Sequence, residues 1–298
     1  MSQHHSDRVF DPGDMSALAH MTNIDRRNNT RAVPLRVLCL GLSRTGTVSL
    51  RQALMRLGYG DCYHFASTLQ ENPLDTELWL EALNAKFNGV GKEYGRREWD
   101  ALLGHCQAVT DTPCVIFYKE LMLAYPDAKV ILTERDDADQ WFRSQMSTVV
   151  PYASRMVPQT WFEKFKALFS PVDSKAVTLT KTILEDTPVY SALWHDYQYG
   201  TETAKQVYID HNAEIRRIVP EKNLLVFNVK EGWAPLCDFL GEQVPDEAFP
   251  RRNDKVAFAK NNNEFGEFVN ASSQKNMLGA GAGLAAVVAT LVFAARLR

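Results

Sequence analysis

The chain has 298 residues, of which 45% are hydrophobic and 23% charged, and its formal net charge is −3. This composition is ordinary for a folded globular protein of one large domain or two small ones. The slightly acidic balance argues against broad binding to nucleic acid, which leaves a basic footprint. Five cysteines without CxxC spacing argue against a zinc site, and they indicate a reducing compartment.

Apolar runs alternate with segments of helical spacing along the chain. Short apolar runs predict buried strands at residues 35–40, 61–65, 129–133 and 223–229. Apolar residues at helical spacing predict helices at residues 46–57, 74–83, 97–106, 115–123, 138–149, 201–219 and 232–240. This alternation predicts an α/β fold with a mainly parallel central sheet that is covered on both faces. Ligands in such folds bind at the carboxyl ends of the strands.

The turn between the first strand and the first helix reads Gly-Leu-Ser-Arg-Thr-Gly-Thr, residues 41–47. A turn flanked by glycines at the start of a helix exposes backbone N–H groups at the positive end of the helix dipole. Thr45 and Thr47 add hydroxyl donors, and Arg44 adds a planar set of donors that suits phosphate or sulfate oxygens. The loop therefore predicts a site for a phosphate or phosphosulfate group.

The spacing of Gly41 and Gly46 matches the first part of a Walker A loop, but the residues that follow do not. Thr47 and Val48 stand where Walker A has Lys followed by Ser or Thr. The usual lysine and the Mg²⁺-binding hydroxyl are both missing, which argues against a nucleoside triphosphatase. GxGxxG is also absent from the loop, which argues against a nicotinamide-dependent dehydrogenase.

The two ends of the chain differ from its middle. Residues 1–31 are polar, without the apolar stretch of a signal peptide, and predict a flexible leader.

Residues 259–276 resemble a polar tether, and residues 277–295 carry no charge. Nineteen apolar residues at about 1.5 Å each span a hydrocarbon core of about 30 Å. We therefore expect a single-pass C-terminal membrane anchor that leaves the rest of the protein in the cytosol. Its GxxxG, Gly279 to Gly283, would support a homodimer through paired helices.

Three sequence blocks together resemble the sulfotransferase-like P-loop proteins that are common in fungi. They are GLSRTGTVSLRQAL, DTPCVIFYKELMLAYPDAKVILTERD and GWAPLCDFLGEQVPDEAFPRRND, and they occur in this order within residues 35–258. The resemblance implies a P-loop-like αβα sandwich at residues 32–258, with a helical lid at about 150–200. It also implies that the co-substrate is 3′-phosphoadenosine 5′-phosphosulfate (PAPS) and that no metal is needed.

The resemblance also implies roles for individual residues. Arg44 matches a lysine of the family that stabilises the bridging oxygen of the phosphosulfate, and Ser43, Thr45, Gly46 and Thr47 would bind the 5′-phosphosulfate. The family's 3′-phosphate site has an arginine after a strand and a serine on the next helix. Arg135 matches that arginine, and either Arg143 or Ser144 takes the place of the serine. The C-terminal phosphate-binding segment of the family has its nearest basic counterpart at Arg251.

The general base has two candidates in this sequence. Many cytosolic sulfotransferases have a histidine in a Thr-His-x-Pro stretch, and Thr110-Asp111-Thr112-Pro113 matches it with Asp111 in the histidine position. A carboxylate can take a hydroxyl proton if its surroundings raise its pKa. His64, at the end of a predicted strand, is the rival candidate.

Two functions of different classes remain open from the sequence. The first is transfer of a sulfuryl group from PAPS to a hydroxyl of a small molecule, such as a secondary metabolite. The second is a membrane-anchored nucleotide-binding P-loop protein without transferase activity, which the arginine at position 44 and the missing histidine would fit. For the first function, aromatic side chains would wall the acceptor site, namely Trp141, Phe142, Tyr152, Trp161, Phe162, Trp194, Tyr197 and Tyr199.

Overall fold

A computed structural model gives the fold of the chain. It describes residues 22–157, 160, 161, 164, 165, 168, 174–251, 271 and 273–279. Five strands form one sheet in the order β2-β3-β1-β4-β5, and every neighbouring pair is parallel. The strands are β1 Val37–Cys39, β2 Cys62–Tyr63, β3 Ala108–Val109, β4 Lys129–Thr133 and β5 Leu224–Phe227. The predicted α/β fold with a parallel central sheet is confirmed.

Helices connect these strands, as parallel pairing requires, because the chain must cross back over the sheet between strands. The helices are α1 Thr47–Arg56, α2 Asp75–Asn88, α3 Arg96–Leu103, α4 Tyr118–Ala124, α5 Ala138–Met146, α6 Val149–Met156, α7 Ser174–Asp186, α8 Pro188–Tyr199, α9 Thr203–Ile218 and α10 Trp233–Leu240. Short 3₁₀ segments lie at Cys114–Phe117, Glu221–Asn223 and Val229–Glu231, and a π turn lies at Ser67–Glu71. The segment predicted as a lid contains α6, α7 and α8.

The apolar side chains form two clusters, one on each face of the sheet. Leu38 and Leu40 belong to the larger cluster, which contains Trp79, whereas Val37 and Cys39 belong to the smaller one. This division follows from the period of two along a strand, which sends successive side chains to opposite faces. Residues 35–40 therefore read as a continuous apolar run because both faces of β1 are buried. All five cysteine thiols are free and buried.

Two features differ from the predictions, and a third lies outside the described residues. The strand β3 was not predicted, because only two of its residues pair and polar residues flank them. The predicted leader reaches residue 31, but Arg26 pairs with the buried Asp75 at 3.0 Å and Arg31 pairs with Asp100. Ion pairs to the domain therefore hold the end of that segment. Residues 1–21 lie outside the described part of the chain.

The predicted membrane anchor at residues 277–295 lies mostly outside the described residues, as does Gly283 of its GxxxG. Residues 273–279 are helical. Within the described ranges, no helix has both the length and the apolar character needed to cross a membrane. The anchor, the tether before it and the dimer through paired helices stay predictions.

Candidate active site

The loop at residues 41–46 runs from β1 into the first turn of α1. Gly46 precedes the helix with a φ of 104°, and Arg44 has a φ of 69°, which is uncommon for a residue with a side chain. A Cβ atom on Gly41 would lie 2.0 Å from Thr133 Oγ1, so the loop packs directly against the end of β4. The N-terminus of α1 thus lies at the carboxyl edge of the sheet, where its dipole favours an anion.

Thr45, which is part of the loop, is fully buried. Its hydroxyl donates a hydrogen bond to the Leu42 carbonyl at 2.7 Å and shares a second one with Thr133 Oγ1 at 2.6 Å. Its backbone N–H also bonds to the Leu42 carbonyl, at 3.3 Å. These bonds stabilise the turn and use the donors that were predicted to bind a phosphate.

Two arginines meet at this turn: Arg44 is part of it, and Arg135 contacts it from the end of β4. Arg44 is buried, and Arg135, which follows β4, donates from Nε to the Arg44 carbonyl oxygen at 2.6 Å. The Arg135 N–H donates to the hydroxyl of Tyr208 on α9 at 3.1 Å, which fixes the backbone at this point. Two guanidinium groups beside a helix N-terminus concentrate positive charge where the loop would bind an anion.

Ser144 and Arg143 are adjacent on α5 and face different directions. Ser144 is buried, and its hydroxyl accepts a hydrogen bond from Arg44 Nε at 3.3 Å, whereas Arg143 is exposed. The sequence left both residues open for the family's serine position. One residue on a helix is about 100° of rotation, and the structure turns Ser144 toward the loop.

His64 and Asp111 meet at the carboxyl ends of β2 and β3. His64 Nε2 lies 3.1 Å from Asp111 Oδ2 and 3.3 Å from the hydroxyl of Thr47 on α1. The other ring nitrogen, Nδ1, accepts a hydrogen bond from the Ala66 N–H at 3.1 Å. A neutral imidazole has one proton, so this pattern assigns it to Nε2, from which it is donated to Asp111.

The pKa values of this pair are shifted in opposite directions, and both shifts favour the uncharged form. Burial raises the pKa of Asp111 to about 7, although the Thr112 N–H and the Arg44 guanidinium oppose the shift. Burial and the nearby Arg51 lower the pKa of His64 well below its usual range. At neutral pH His64 is therefore uncharged, while Asp111 exchanges its proton readily. Asp111 Oδ1 is buried and accepts no hydrogen bond of normal geometry from the described part of the chain.

A cavity of about 430 Å³ opens between the loop, the sheet edge and helices α6, α7 and α8. It collects most of the predicted site residues at one end. Those on its wall are Ser43, Arg44, Gly46, Thr47, His64, Asp111, Arg135 and Arg251. Thr45 and Ser144 are buried behind that wall, and Arg143 lies outside it.

The other end of the cavity is the part of its wall that helices α6 and α7 form. It is mostly apolar, and its lining residues are Val149, Tyr152, Ala153, Met156, Thr180, Ile183 and Leu184. Of the eight aromatic residues predicted to wall an acceptor site, Tyr152 lines this cavity. Trp141 instead stacks on Tyr208 with ring centroids 4.4 Å apart, and Phe162 lies outside the described residues. This part of the wall is formed mainly by aliphatic side chains of α6 and α7, so an aromatic wall around the acceptor stays a prediction.

Comparison with known proteins agrees with this arrangement. Residues 36–258 match the sulfotransferase domain family over three quarters of the chain. The chain belongs to the sulfotransferase family. A curated relative, the Ava biosynthesis cluster protein M of Aspergillus versicolor, is 35% identical over 219 residues. That alignment covers 72% of this chain and 80% of the relative. The predicted resemblance to fungal sulfotransferase-like proteins is confirmed, and the chain is by family a transferase.

Three polar residues that contact the loop of this sulfotransferase or its neighbourhood were not predicted from the sequence. Gln145 donates from Nε2 to the Ser43 carbonyl at 2.7 Å, Tyr190 donates to the Ser43 hydroxyl at 3.1 Å, and Thr112 hydrogen-bonds to Tyr190. A signal existed for Gln145, which is a polar residue one helical turn after Trp141 on a buried face. Tyr190 carries no such signal, because its contacts depend on how α8 packs.

A second polar cluster of this sulfotransferase lies away from the cavity. Ligand atoms of Asp61, His105 and Cys106 lie within 4.8 Å of one another, a spacing that could hold a metal ion. The buried Arg51 guanidinium lies 3.7 Å from Asp61, however, and a positive charge at that distance opposes a cation. The expectation that the protein needs no metal stays a prediction.

Proposed function

We propose that this sulfotransferase moves the sulfuryl group of PAPS to a hydroxyl of an apolar small molecule. One observation supports the proposal above all others: the cavity has one end that includes Arg44, Arg135 and Asp111, and a mostly apolar end that helices α6 and α7 form. The transferring sulfur atom would lie between them, with the loop on one side and Asp111 on the other.

The donor would bind at the charged end. The amides at the start of α1, the Thr47 hydroxyl and the Arg44 guanidinium would bind the 5′-phosphosulfate, since each is a donor near the loop. Arg135 would bind the 3′-phosphate. Ser144 would lie near it, because Arg44 contacts both residues: its carbonyl oxygen accepts from Arg135 and its Nε donates to Ser144. Arg251 lines the same wall and would add a further contact to the nucleotide.

Asp111 would act as the general base, with His64 as its orienting partner. The Nε2–H of His64 would hold Oδ2, and Oδ1, which has no hydrogen-bond partner among the described residues, would face the acceptor hydroxyl. As the acceptor oxygen bonds to sulfur, the bond from sulfur to the 5′-phosphate oxygen breaks and the hydroxyl proton passes to Oδ1. PAP, the desulfated product, leaves with the electron pair of that bond. Arg44 and the loop amides neutralise the charge that develops on its phosphate.

The apolar end of the cavity indicates the class of acceptor. Apart from Thr180 its walls are aliphatic or aromatic, and the charged side chains of the lining come from the loop, the strand ends and residues 230 and 251. A hydroxylated, largely apolar molecule would bury its surface there and present its oxygen to Asp111. The relative carries the name of a biosynthesis cluster, which supports a secondary metabolite as the acceptor.

The sequence supports one further part of the proposal, namely a membrane anchor at residues 277–295. An apolar acceptor partitions into lipid, so an anchor would keep the cavity close to such molecules. The GxxxG in the same segment would pair two anchors into a homodimer.

Calorimetric titration of the full-length protein in detergent tests this function. PAP should bind with a micromolar Kd, and Arg44→Ala or Arg135→Ala should weaken it at least about tenfold, because each removes a charged donor. Arg143→Ala is the matched control, since Arg143 is exposed on α5, and it should leave the Kd unchanged. Incubation with PAPS and a panel of apolar phenols and alcohols should yield a sulfated product.

Two results would overturn the proposal in different ways. PAP binding without any sulfated product across the panel would favour the second candidate, a nucleotide-binding P-loop protein without transferase activity. Binding of ATP with Mg²⁺ in the absence of PAP binding would contradict a phosphosulfate site altogether.

A further inference from the structure

Tyr190 connects three separate parts of the site through one hydroxyl group. The residue is buried on α8, near the start of that helix. Its oxygen lies 3.1 Å from Ser43 Oγ in the loop and also hydrogen-bonds to the hydroxyl of Thr112, next to Asp111. A lid helix, the anion-binding loop and the segment of the proposed base therefore meet at this phenol.

The direction of each hydrogen bond around Ser43 follows from its partners. Gln145 Nε2 lies 2.7 Å from both the carbonyl oxygen and the hydroxyl of Ser43. A carbonyl oxygen only accepts, so the amide nitrogen must face it, and the same nitrogen donates to the hydroxyl. Tyr190 donates to that hydroxyl as well. Ser43 Oγ thus accepts two hydrogen bonds, which uses both of its lone pairs.

The proton of the Ser43 hydroxyl is then left to donate. Within the described ranges no acceptor lies in hydrogen-bond reach of it beyond these two partners, and Ser43 lines the charged end of the cavity beside Arg44. Burial, reinforced by the Asp111 carboxylate, raises the pKa of Tyr190, so its phenol keeps its proton and stays a donor at neutral pH.

We propose that Tyr190 is a positioning residue that fixes the Ser43 hydroxyl as a donor to an oxyanion bound at the loop. The proposal rests on the sulfotransferase function given above, in which that oxyanion is a phosphate or sulfuryl oxygen of the co-substrate. In this proposal Tyr190, which also lines the cavity, acts through Ser43 and not by binding the anion itself. It occupies the second lone pair of Ser43, so that the hydroxyl cannot turn away from the cavity to accept from another donor.

A double-mutant cycle on PAP affinity tests the coupling between Tyr190 and Ser43. Tyr190→Phe keeps the ring and its packing and removes the hydroxyl. We expect it to weaken PAP binding about five- to tenfold, and Ser43→Ala to weaken it about tenfold or more, as for a lost hydrogen bond to a charged group. The double variant should bind like Ser43→Ala alone, because Tyr190 acts through that hydroxyl.

Tyr197→Phe is the matched control, since this tyrosine is on the same helix and is 45% exposed. It should leave the Kd unchanged. A Tyr190→Phe variant with unchanged affinity would overturn the proposal. So would an equal loss of affinity on adding Tyr190→Phe to the wild type and to the Ser43→Ala variant, which would mean that the phenol only holds the lid.

The same cycle with inorganic sulfate separates this proposal from the proposed function. If the wild-type protein fails to bind PAP, the sulfotransferase mechanism is wrong, and the sulfate cycle then decides whether Tyr190 acts through Ser43. Coupling with sulfate supports the role of Tyr190 at an oxyanion site. Absence of coupling, or of any sulfate binding, contradicts it.

Discussion

His64 Nε2 and Asp111 Oδ2 lie 3.1 Å apart, at the carboxyl ends of the adjacent parallel strands β2 and β3. The sequence presented these residues as rivals for the same role. The structure instead joins them, because β2 and β3 pair in register and place both side chains at one edge of the sheet. We propose that, in this pair of a donating imidazole and a carboxylate of raised pKa, the carboxylate is the group that accepts the acceptor's proton.

The pH dependence of catalysis should report the ionisation of Asp111. A base must be ionised to accept a proton, and burial raises the pKa of Asp111 to about 7. We expect kcat/KM to increase with pH through about 7 and then to level off, since His64, whose pKa is lowered, stays neutral over this range. Asp111→Asn should lower kcat by about 10²- to 10⁴-fold and abolish this dependence.

The variant His64→Phe distinguishes the two candidates for the base. If His64 orients Asp111, its removal takes away a hydrogen bond to the ionised carboxylate, and the increase in kcat/KM should move to higher pH with activity retained. Loss of all activity in His64→Phe, together with substantial activity in Asp111→Asn, would instead assign the base to His64.

The same substitution, Asp111→Asn, should stabilise the protein at high pH. An unfolded aspartate has a pKa of about 3.9, and in the folded protein the pKa is about 7. Between those values the folded state binds more protons, so the contribution of Asp111 to the free energy of unfolding falls as pH increases. At pH 8 the wild type carries this penalty in full, up to about 4 kcal/mol for a shift of about three units.

Urea denaturation at pH 5 and pH 8 measures this effect. The stability gained in Asp111→Asn should be larger at pH 8 and should shrink toward pH 5. Asp136→Asn provides the control, because Asp136 is exposed and its ion pair with Lys230 lowers its pKa, so no gain at high pH is expected. Equal gains at both pH values would mean that the pKa of Asp111 is not raised by folding.

Four of the strands and the loop could be predicted because their signals are local. β1, β4 and β5 lie within apolar runs bounded by turn residues, β2 lies within the short run predicted at residues 61–65, and the glycine spacing marks the loop. β3 has only two paired residues, and such a short strand forms because β1 and β2 flank it. The sequence between its polar neighbours contains nothing that separates it from a loop.

The orientation of Ser144 needed the start of α5, which the sequence left uncertain. Asp137 caps this helix, its side chain accepting a hydrogen bond from the Gln140 N–H, and this sets the phase of the residues that follow. Trp141, Ser144 and Gln145 then share the buried face, at the spacing of one helical turn. The contacts of Tyr190 depend on tertiary packing of α8 alone, which no local pattern encodes.

The membrane anchor predicts a simple fractionation result. A segment of 19 uncharged residues, 277–295, should hold the full-length protein in the membrane pellet after carbonate extraction. A variant truncated after residue 276 should move to the supernatant and keep its PAP affinity, since the cavity lies within residues 43–251. Release of the full-length protein into the supernatant would contradict the anchor.

Gly46→Ala should disable the loop, and Gly58 offers a control with the same backbone strain. Both glycines have a positive φ, 104° and 85°, which costs a residue with a Cβ about 1–2 kcal/mol. A Cβ on Gly46 would also lie 2.6 Å from a methyl group of Val229, whereas nothing lies within 4 Å of one on Gly58. Such a clash adds about 1–3 kcal/mol unless the loop moves.

We therefore expect Gly46→Ala to unfold at lower urea concentration than Gly58→Ala and to lose PAP binding, while Gly58→Ala binds PAP normally. The variant Gly46→Ala with Val229→Ala removes the methyl groups that clash and should recover part of the stability, which ties the loss to this contact. If Gly46→Ala binds PAP as tightly as the wild type, the loop does not hold the anion. The site would then have to depend on Arg135 and Arg251 instead.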